Sequence, residues 1–185
     1  LMLSSIFFDI RVIYGDESML SNIQEKISGL TKNNQLFLAL MTVNALHHRT
    51  PLGFFRDFVL IDDGEHKDTL DLKHNGIVPI IDLARIYALA EGLTAVNTID
   101  RLTQAAGTPS LSKDGAANLL DAYEFIGELR IEHQAAQIRK GEKADNFLSP
   151  KQLSRLERAH LRDAFKVIQT MQEALSQRYH AGNIG

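Results

Sequence analysis

The sequence predicts a mainly α protein, a helical bundle of about six helices with one small β-hairpin insertion. Three observations carry that expectation. Apolar residues recur at three- and four-residue spacing through most of the 185 residues. Capping residues and glycines bracket those stretches. One short segment alternates polar with apolar residues at period two.

Asp16 suits the N-cap of a first helix running to about Leu30, with Met19, Leu20, Ile23 and Ile27 on one face. Asn33 or Asn34 opens a second, to about His48. Its run from Leu36 to Met41, with Val43, is apolar nearly all round, as expected of a helix central to a bundle. Pro51 and Gly53 end that region. Phe58 and Leu60, then Leu70 and Leu72, alternate with polar residues on either side of Asp62-Asp63-Gly64-Glu65, the pattern of a hairpin around an Asp-Gly turn. A lone pair of strands is marginal, so the hairpin is expected to lie against the helices. Pro79 fits the first turn of a third helix that Gly92 closes. Asn97 or Thr98 starts a short fourth helix ending at Gly107. Ser112 caps a fifth reaching about Lys140, before Gly141. For the sixth, Ser149, Pro150 and Gln152 supply an N-cap, a first-turn proline and a capping-box partner. A stripe from Leu153 and Leu156 through Phe165 and Ile168 to Leu175 follows.

Composition narrows the function classes. A hydrophobic content of 44% and a charged content of 23% describe a globular chain able to bury a sizeable core. The formal net charge of −3 argues against non-specific nucleic-acid binding, which needs clustered Lys and Arg to displace counterions. Cysteine is absent, which removes disulfides, thiolate metal sites and a cysteine nucleophile, and fits a reducing, cytoplasmic setting. The longest strongly apolar stretch, Leu36 to Leu46, is too short to span a bilayer, so no membrane partner is expected. The opening Leu1-Met2-Leu3-Ser4-Ser5-Ile6 lacks the marks of a signal peptide and reads as entry partway into a longer polypeptide. Residues 1–15 are taken as a junction and residues 16–185 as the helical domain.

The chain holds little that could perform chemistry. Metal-dependent nucleotidyl transfer needs carboxylates gripping two divalent ions, usually a Gly-Ser turn followed by Asp-x-Asp; no Asp-x-Asp occurs. No phosphate-binding glycine loop and no His-Glu-x-x-His helix is present. His47-His48 lacks the adjoining Asp of metal phosphohydrolases. No catalytic residue and no metal ligand is therefore assigned. Asp82 and Arg85, polar residues in the otherwise apolar Pro79–Leu89, share a helix face at i, i+3. They form either an internal ion pair that fixes packing or a guanidinium presented to a phosphate or carboxylate, with Asp82 orienting it. Asp71 and Lys73, two apart on an expected strand, point to one side, and Leu70 and Leu72 to the other, so the charged pair forms either a solvated hairpin face or the lining of a site. Arg130 and Gln134 end the apolar stripe of Leu119, Tyr123 and Ile126, either emerging into solvent or walling a cleft.

The order of segments resembles a known family. Phe7-Phe8-Asp9-Ile10-Arg11-Val12-Ile13-Tyr14-Gly15-Asp16 is followed by Pro51-Leu52-Gly53-Phe54-Phe55 and Leu70-Asp71-Leu72-Lys73. Then come Pro79 to Arg85, Asn97-Thr98-Ile99-Asp100-Arg101-Leu102, Asn146, Pro150-Lys151-Gln152-Leu153, and Leu156-Glu157-Arg158 leading to Ala164-Phe165. This series is similar to the nucleotidyltransferase substrate-binding domain at the C-terminus of bacterial signalling proteins. Those proteins carry cyclic-nucleotide-binding-like, CBS and nucleotidyltransferase domains upstream and are distant relatives of the uridylyltransferase that modifies the regulator PII. The resemblance covers about residues 6 to 178. It implies a helical domain packed on an upstream nucleotidyltransferase domain of the same polypeptide, holding a protein or small-molecule acceptor. It implies too that NTP and Mg²⁺ belong to the full-length protein, with no cofactor bound by this domain alone. Carried over by position, it makes Asp71, Lys73, Asp82, Arg85 and Arg101 substrate-binding residues along one cleft; Arg130 and Gln134 are counted with them on the cleft-wall reading of their helix, not on the resemblance. Asp9 and Arg11 fall at the junction with the catalytic domain, where Arg11 either reaches the nucleotide phosphates or braces the junction.

Two other classes are weighed beside it. Arg155 and His160 fit the Arg-x4-His spacing of HEPN-type helical ribonucleases, in which the arginine steadies a phosphate and the histidine moves a proton. Alternatively the chain is a non-enzymatic interaction or homodimerisation module.

Overall fold

The computed structural model describes residues 7–32, 34–53 and 57–181. The expectations placed on Leu1 to Ile6, on Asn33 and on Phe54-Phe55 lie outside those residues. Within them are six α-helices and one two-stranded antiparallel sheet, so the protein is mainly α, as the periodicity predicts. The helices are α1 (Ser18–Thr31), α2 (Gln35–Ala45), α3 (Val78–Glu91), α4 (Thr98–Ala105), α5 (Lys113–Arg139) and α6 (Arg155–Arg178). The strands are β1 (Leu70–Asp71) and β2 (Phe147–Leu148). The chain divides into two compact units, each with its own buried residues.

The first unit comprises Leu1–His47, Ile81–Ala117 and Met171–Gly185. Asp16 accepts the backbone N–H of Ser18 at 2.8 Å, one residue ahead of the N-cap position, which Glu17 occupies. The expected apolar face of α1 is only partly covered, since Met19 and Ile23 are exposed. Asn34 opens α2, its side chain accepting from Phe37 N at 3.0 Å. This helix buries Leu38, Ala39, Met41, Thr42 and Ala45 but leaves Leu36 exposed, so it has a solvent side despite its apolar sequence. Gly92 follows α3 at φ +73°, the left-handed conformation that ends a helix at low cost only with glycine. Asn97 caps α4 through Ile99 N at 2.8 Å. Leu83, Ile86, Tyr87, Leu102, Leu111 and Leu175 are buried here.

The second unit comprises His48–Ile80 and Asn118–Thr170. Its small antiparallel sheet is not the local hairpin expected from the alternation. Leu70 pairs with Leu148 and Asp71 with Phe147, while Phe58 makes an isolated bridge with Leu52. Ile61 N donates to Thr69 O and Asp68 N to Ile61 O, closing residues 61–69 into a loop. Asp68 in that loop stands at φ +62°, which ends any ladder there. The chain then enters a π-helical turn, Lys73–Ile77, in which Ile77 N reaches back five residues to Leu72 O.

The start of α6 also differs from expectation. Pro150–Gln152 forms a separate 3₁₀ turn, and Ser149 makes no side-chain cap. The capping box is Ser154 with Glu157: Glu157 N donates to Ser154 Oγ at 3.2 Å, and Ser154 N donates to Glu157 Oε2 at 2.6 Å. The box holds the Glu157 carboxyl below its ordinary range. Leu119, Ile126, Leu161, Phe165 and Ile168 are buried in this unit.

Candidate functional site

In the first unit, α3 and α4 each contribute one buried arginine to a common cluster. Three residues apart on α3, Asp82 and Arg85 share a face, and Arg85 Nη1 donates to Asp82 Oδ1 at 2.5 Å. Arg101 sits one turn inside α4, its backbone N–H bonded to the Asn97 carbonyl. The Arg101 guanidinium is fixed by two main-chain acceptors: Nε donates to Ala95 O at 2.8 Å and Nη2 to Phe8 O at 2.6 Å. Asp9 then closes on both arginines. Arg85 Nη2 lies 2.7 Å from Asp9 Oδ2 and Nε 3.4 Å from Oδ1, and Arg101 Nη2 lies 2.8 Å from Oδ1. The Arg85 and Arg101 side chains are 7% and 3% exposed, whereas that of Asp9 is 40% exposed.

Two cations and two carboxylates make the cluster neutral, which is how buried arginine is tolerated. Burial pushes the Asp9 carboxyl up, but the hydrogen bond and charge of Arg85, then those of Arg101, outweigh it and hold it below the usual range. Burial also works against both guanidinium charges. Arg85, touching two carboxylates, ends above its ordinary value. Arg101 ends below it, because it has Asp9 for a carboxylate partner and is opposed by the charge of Arg85. Beside the pair opens a hollow lined by Phe8, Ile27, Leu89 and Leu93 together with Arg85 and Arg101. About 360 Å³ of non-atom space, open solvent included, surrounds it, but the enclosed cavity itself is only about 30 Å³.

The remaining expected site residues divide between the units. Arg11 lines a second hollow of the first unit with Glu17, Gln24 and Thr94, and not the arginine pair. Asp71 and Lys73, in the second unit, do not present paired side chains from a strand. Asp71 Oδ1 instead caps the π turn, accepting from Lys73 N and His74 N at 3.0 Å each, while its Oδ2 lies 2.7 Å from His74 Nδ1. Lys73 is already in that turn, with its side chain exposed. Arg130 and Gln134 do come together, on one acceptor: Asn146 Oδ1 receives Arg130 Nε at 2.6 Å and Gln134 Nε2 at 3.2 Å. Asn146 O in turn accepts from Leu72 N. The pair thus secures the loop leading into β2.

Next to it, Asp145 accepts from Phe147 N and faces the nearly buried His133 at 3.0 Å, while its own N–H donates to Gln137. Burial raises the Asp145 carboxyl, but the Phe147 N–H, His133 and Gln137 together bring it below its usual value. Sequence reasoning missed His133 and Asp145; their spacing of twelve residues crosses a turn and follows no helical or strand period. Arg155 and His160 both lie on α6. Five residues place them roughly 140° apart around a helix, and His160 stacks on Phe125 at 3.7 Å between ring centroids.

The described residues thus form a mainly α fold in which two buried arginines and two carboxylates stand beside a hollow. The family described as the putative nucleotidyltransferase substrate binding domain matches residues 35–179, and the chain belongs to that family. No curated protein and no solved structure matches it. Among the described residues, no helix is long and apolar enough to cross a membrane.

Proposed function

We propose that the chain is the acceptor-binding domain of a bacterial signalling nucleotidyltransferase. In this reading a catalytic domain of the same cytoplasmic polypeptide transfers a nucleotidyl group from NTP to a protein or small-molecule acceptor. Family membership over residues 35–179 carries the reading. The arginine pair supports it, because immobilised guanidinium groups at the edge of a hollow suit the binding of an acidic group. Asp9 and Asp82 are both committed to arginine, so the proposal leaves Mg²⁺ and the triphosphate to the catalytic domain. Ile13 and Tyr14, 94% and 98% exposed, stand with exposed Met19 and Ile23 on a short stretch of sequence, a surface suited to that domain or to a second copy of the chain. CBS-type regulation and kinship with PII uridylyltransferase belong to the same proposal and rest on the order of motifs.

The test uses the longer protein that includes the catalytic domain. Nucleotide-dependent labelling of candidate small molecules and PII-like proteins is compared between the native protein and Arg85→Lys, which keeps the charge but loses the fork. Labelling that falls about tenfold or more, an interaction of the size of one charge-assisted bond, supports the assignment. Unchanged labelling by a folded Arg85→Lys protein removes Arg85 from the site.

A further inference from the structure

We infer that Arg85 and Arg101 form a binding site for the carboxylate or phosphate group of a small ligand, and that Asp9 occupies this site as a built-in competitor until the ligand replaces it. The inference builds on the reading of the same arginines given above and adds what they bind and how access is controlled.

Three observations lead to it. First, the donors that face Asp9 are arranged for an oxyanion rather than for one particular residue. Arg85 offers Nε and Nη2 side by side and Arg101 offers Nη2 from another helix, so three N–H groups converge on two oxygens. Second, the arginines are held independently of Asp9. Asp82 takes Arg85 Nη1, and the Ala95 carbonyl takes Arg101 Nε. Each arginine therefore keeps one fixed partner when the segment leaves, while Arg101 Nη2 gives up Phe8 O together with Asp9 and the local charge becomes one positive in excess. Third, Asp9 is the least buried member of the cluster, and its neighbours Phe7 and Ile10 are also exposed. The segment is tied down by a few contacts: Arg101 to Phe8 O, Gln24 Nε2 to Ile10 O at 3.2 Å, and the Phe8 ring 5.8 Å from that of Phe37.

The hollow beside the arginines is walled in part by Phe7 and Phe8 of this same segment. A ligand whose acidic group takes the place of the Asp9 carboxylate lays its remaining atoms where those side chains now stand. A tethered carboxylate competes at an effective concentration of about millimolar, so the native chain binds a free oxyanion only weakly while the segment is in place.

The experiment titrates the 185-residue protein and its Asp9→Asn variant with inorganic phosphate, pyrophosphate and succinate, against chloride at matched ionic strength, by calorimetry and thermal denaturation. Asp9→Asn is expected to bind at least one of these oxyanions about tenfold or more tightly than the native chain, the factor recovered when a site is freed from a competitor that fills it nine-tenths of the time. The same anion is expected to raise the melting temperature of the variant more than that of the native chain. Adding Arg101→Gln to Asp9→Asn should abolish the effect. Preference for phosphate and pyrophosphate, or for succinate, distinguishes the two ligand chemistries. If Asp9→Asn does not fold, amide exchange of residues 7–11 in the native chain is read instead, and saturating oxyanion should accelerate it. Equal response to chloride, or no change in exchange at saturating oxyanion, overturns the inference. Oxyanion binding by Asp9→Asn together with no transfer by the longer protein would leave this site standing and reject the transferase reading.

Discussion

Arg85 and Asp9, 76 residues apart in sequence, meet through Nη2 and Oδ2 at 2.7 Å, and together with the Arg101–Asp9 pair that contact ties the segment before α1 to the helices of its unit. Its response to pH follows from the Asp9 carboxyl, which the arginines hold below its ordinary value. A group with a depressed folded pKa stabilises the folded arrangement fully above its unfolded value, about 3.9 for Asp, and loses that contribution as pH falls through the folded value. The segment should therefore stay docked at neutral pH and release in acid below about pH 4. Amide shifts of Phe8 and Ile10 followed by NMR from pH 7 to pH 2 should show a transition that Asp9→Asn lacks. A transition of equal size in that variant would assign the release to another group.

The start of α6 allows a sharper comparison, because two candidate caps lie five residues apart. Ser154 and Glu157 exchange hydrogen bonds as a capping box, whereas Ser149 makes no side-chain cap. Ser154→Ala should cost about 1 kcal/mol of stability, the usual worth of an N-cap serine, while Ser149→Ala should change it by less than about 0.5 kcal/mol. Urea denaturation of the two variants decides the matter; the reverse order would place the true start of the helix at Ser149.

That pair shows where the sequence was legible and where it was not. Both serines are followed three residues later by Gln or Glu, and Pro150 favoured the wrong one; the pattern cannot tell a 3₁₀ turn from the helix that follows it. Local signals were otherwise dependable. Asn34, Asn97, Gly92 and Gly141 mark helix ends as expected, and the Asp82–Arg85 pair follows from i, i+3 spacing alone. What failed was non-local. The alternation around Leu70 and Leu72 identified a strand but not its partner, since Phe147–Leu148 arrives from beyond α5. Likewise Asp9 and Arg101 could be marked as charged motif positions, but no period relates them, so only the fold discloses that they share an ion pair.

Asn146 separates a structural from a ligand-facing role for Arg130 and Gln134. Both donate to its Oδ1, so Asn146→Ala leaves two part-buried donors without that acceptor. The expected loss is about 1–3 kcal/mol, the range for stranding buried hydrogen-bonding groups. Asn146→Asp retains the acceptor and adds a charge opposite Arg130, so it should stay within about 1 kcal/mol of the native protein. Denaturation midpoints for both variants give the answer. Native-like stability in Asn146→Ala, combined with lost acceptor labelling in the longer protein, would return Arg130 and Gln134 to the binding site.

Gly76 tests whether the π turn after β1 is dictated by packing. A Cβ built there would stand 2.9 Å from Ile126 Cγ2 and 3.5 Å from Phe165 Cε1, both in the buried core of the second unit. Alanine within a helical turn is normally favoured over glycine by about 1 kcal/mol, but forcing a methyl group into a filled core costs about 1–3 kcal/mol. The clash should win, because Ile126 is fully buried and has little room to yield. Gly76→Ala is thus expected to destabilise the protein, and by less in an Ile126→Leu background, where the branch facing the new methyl is moved one carbon outward. A double-mutant cycle read by thermal denaturation measures that coupling. Stabilisation by Gly76→Ala alone would mean that the turn carrying Lys73 and His74 has space to close into an ordinary α-helix.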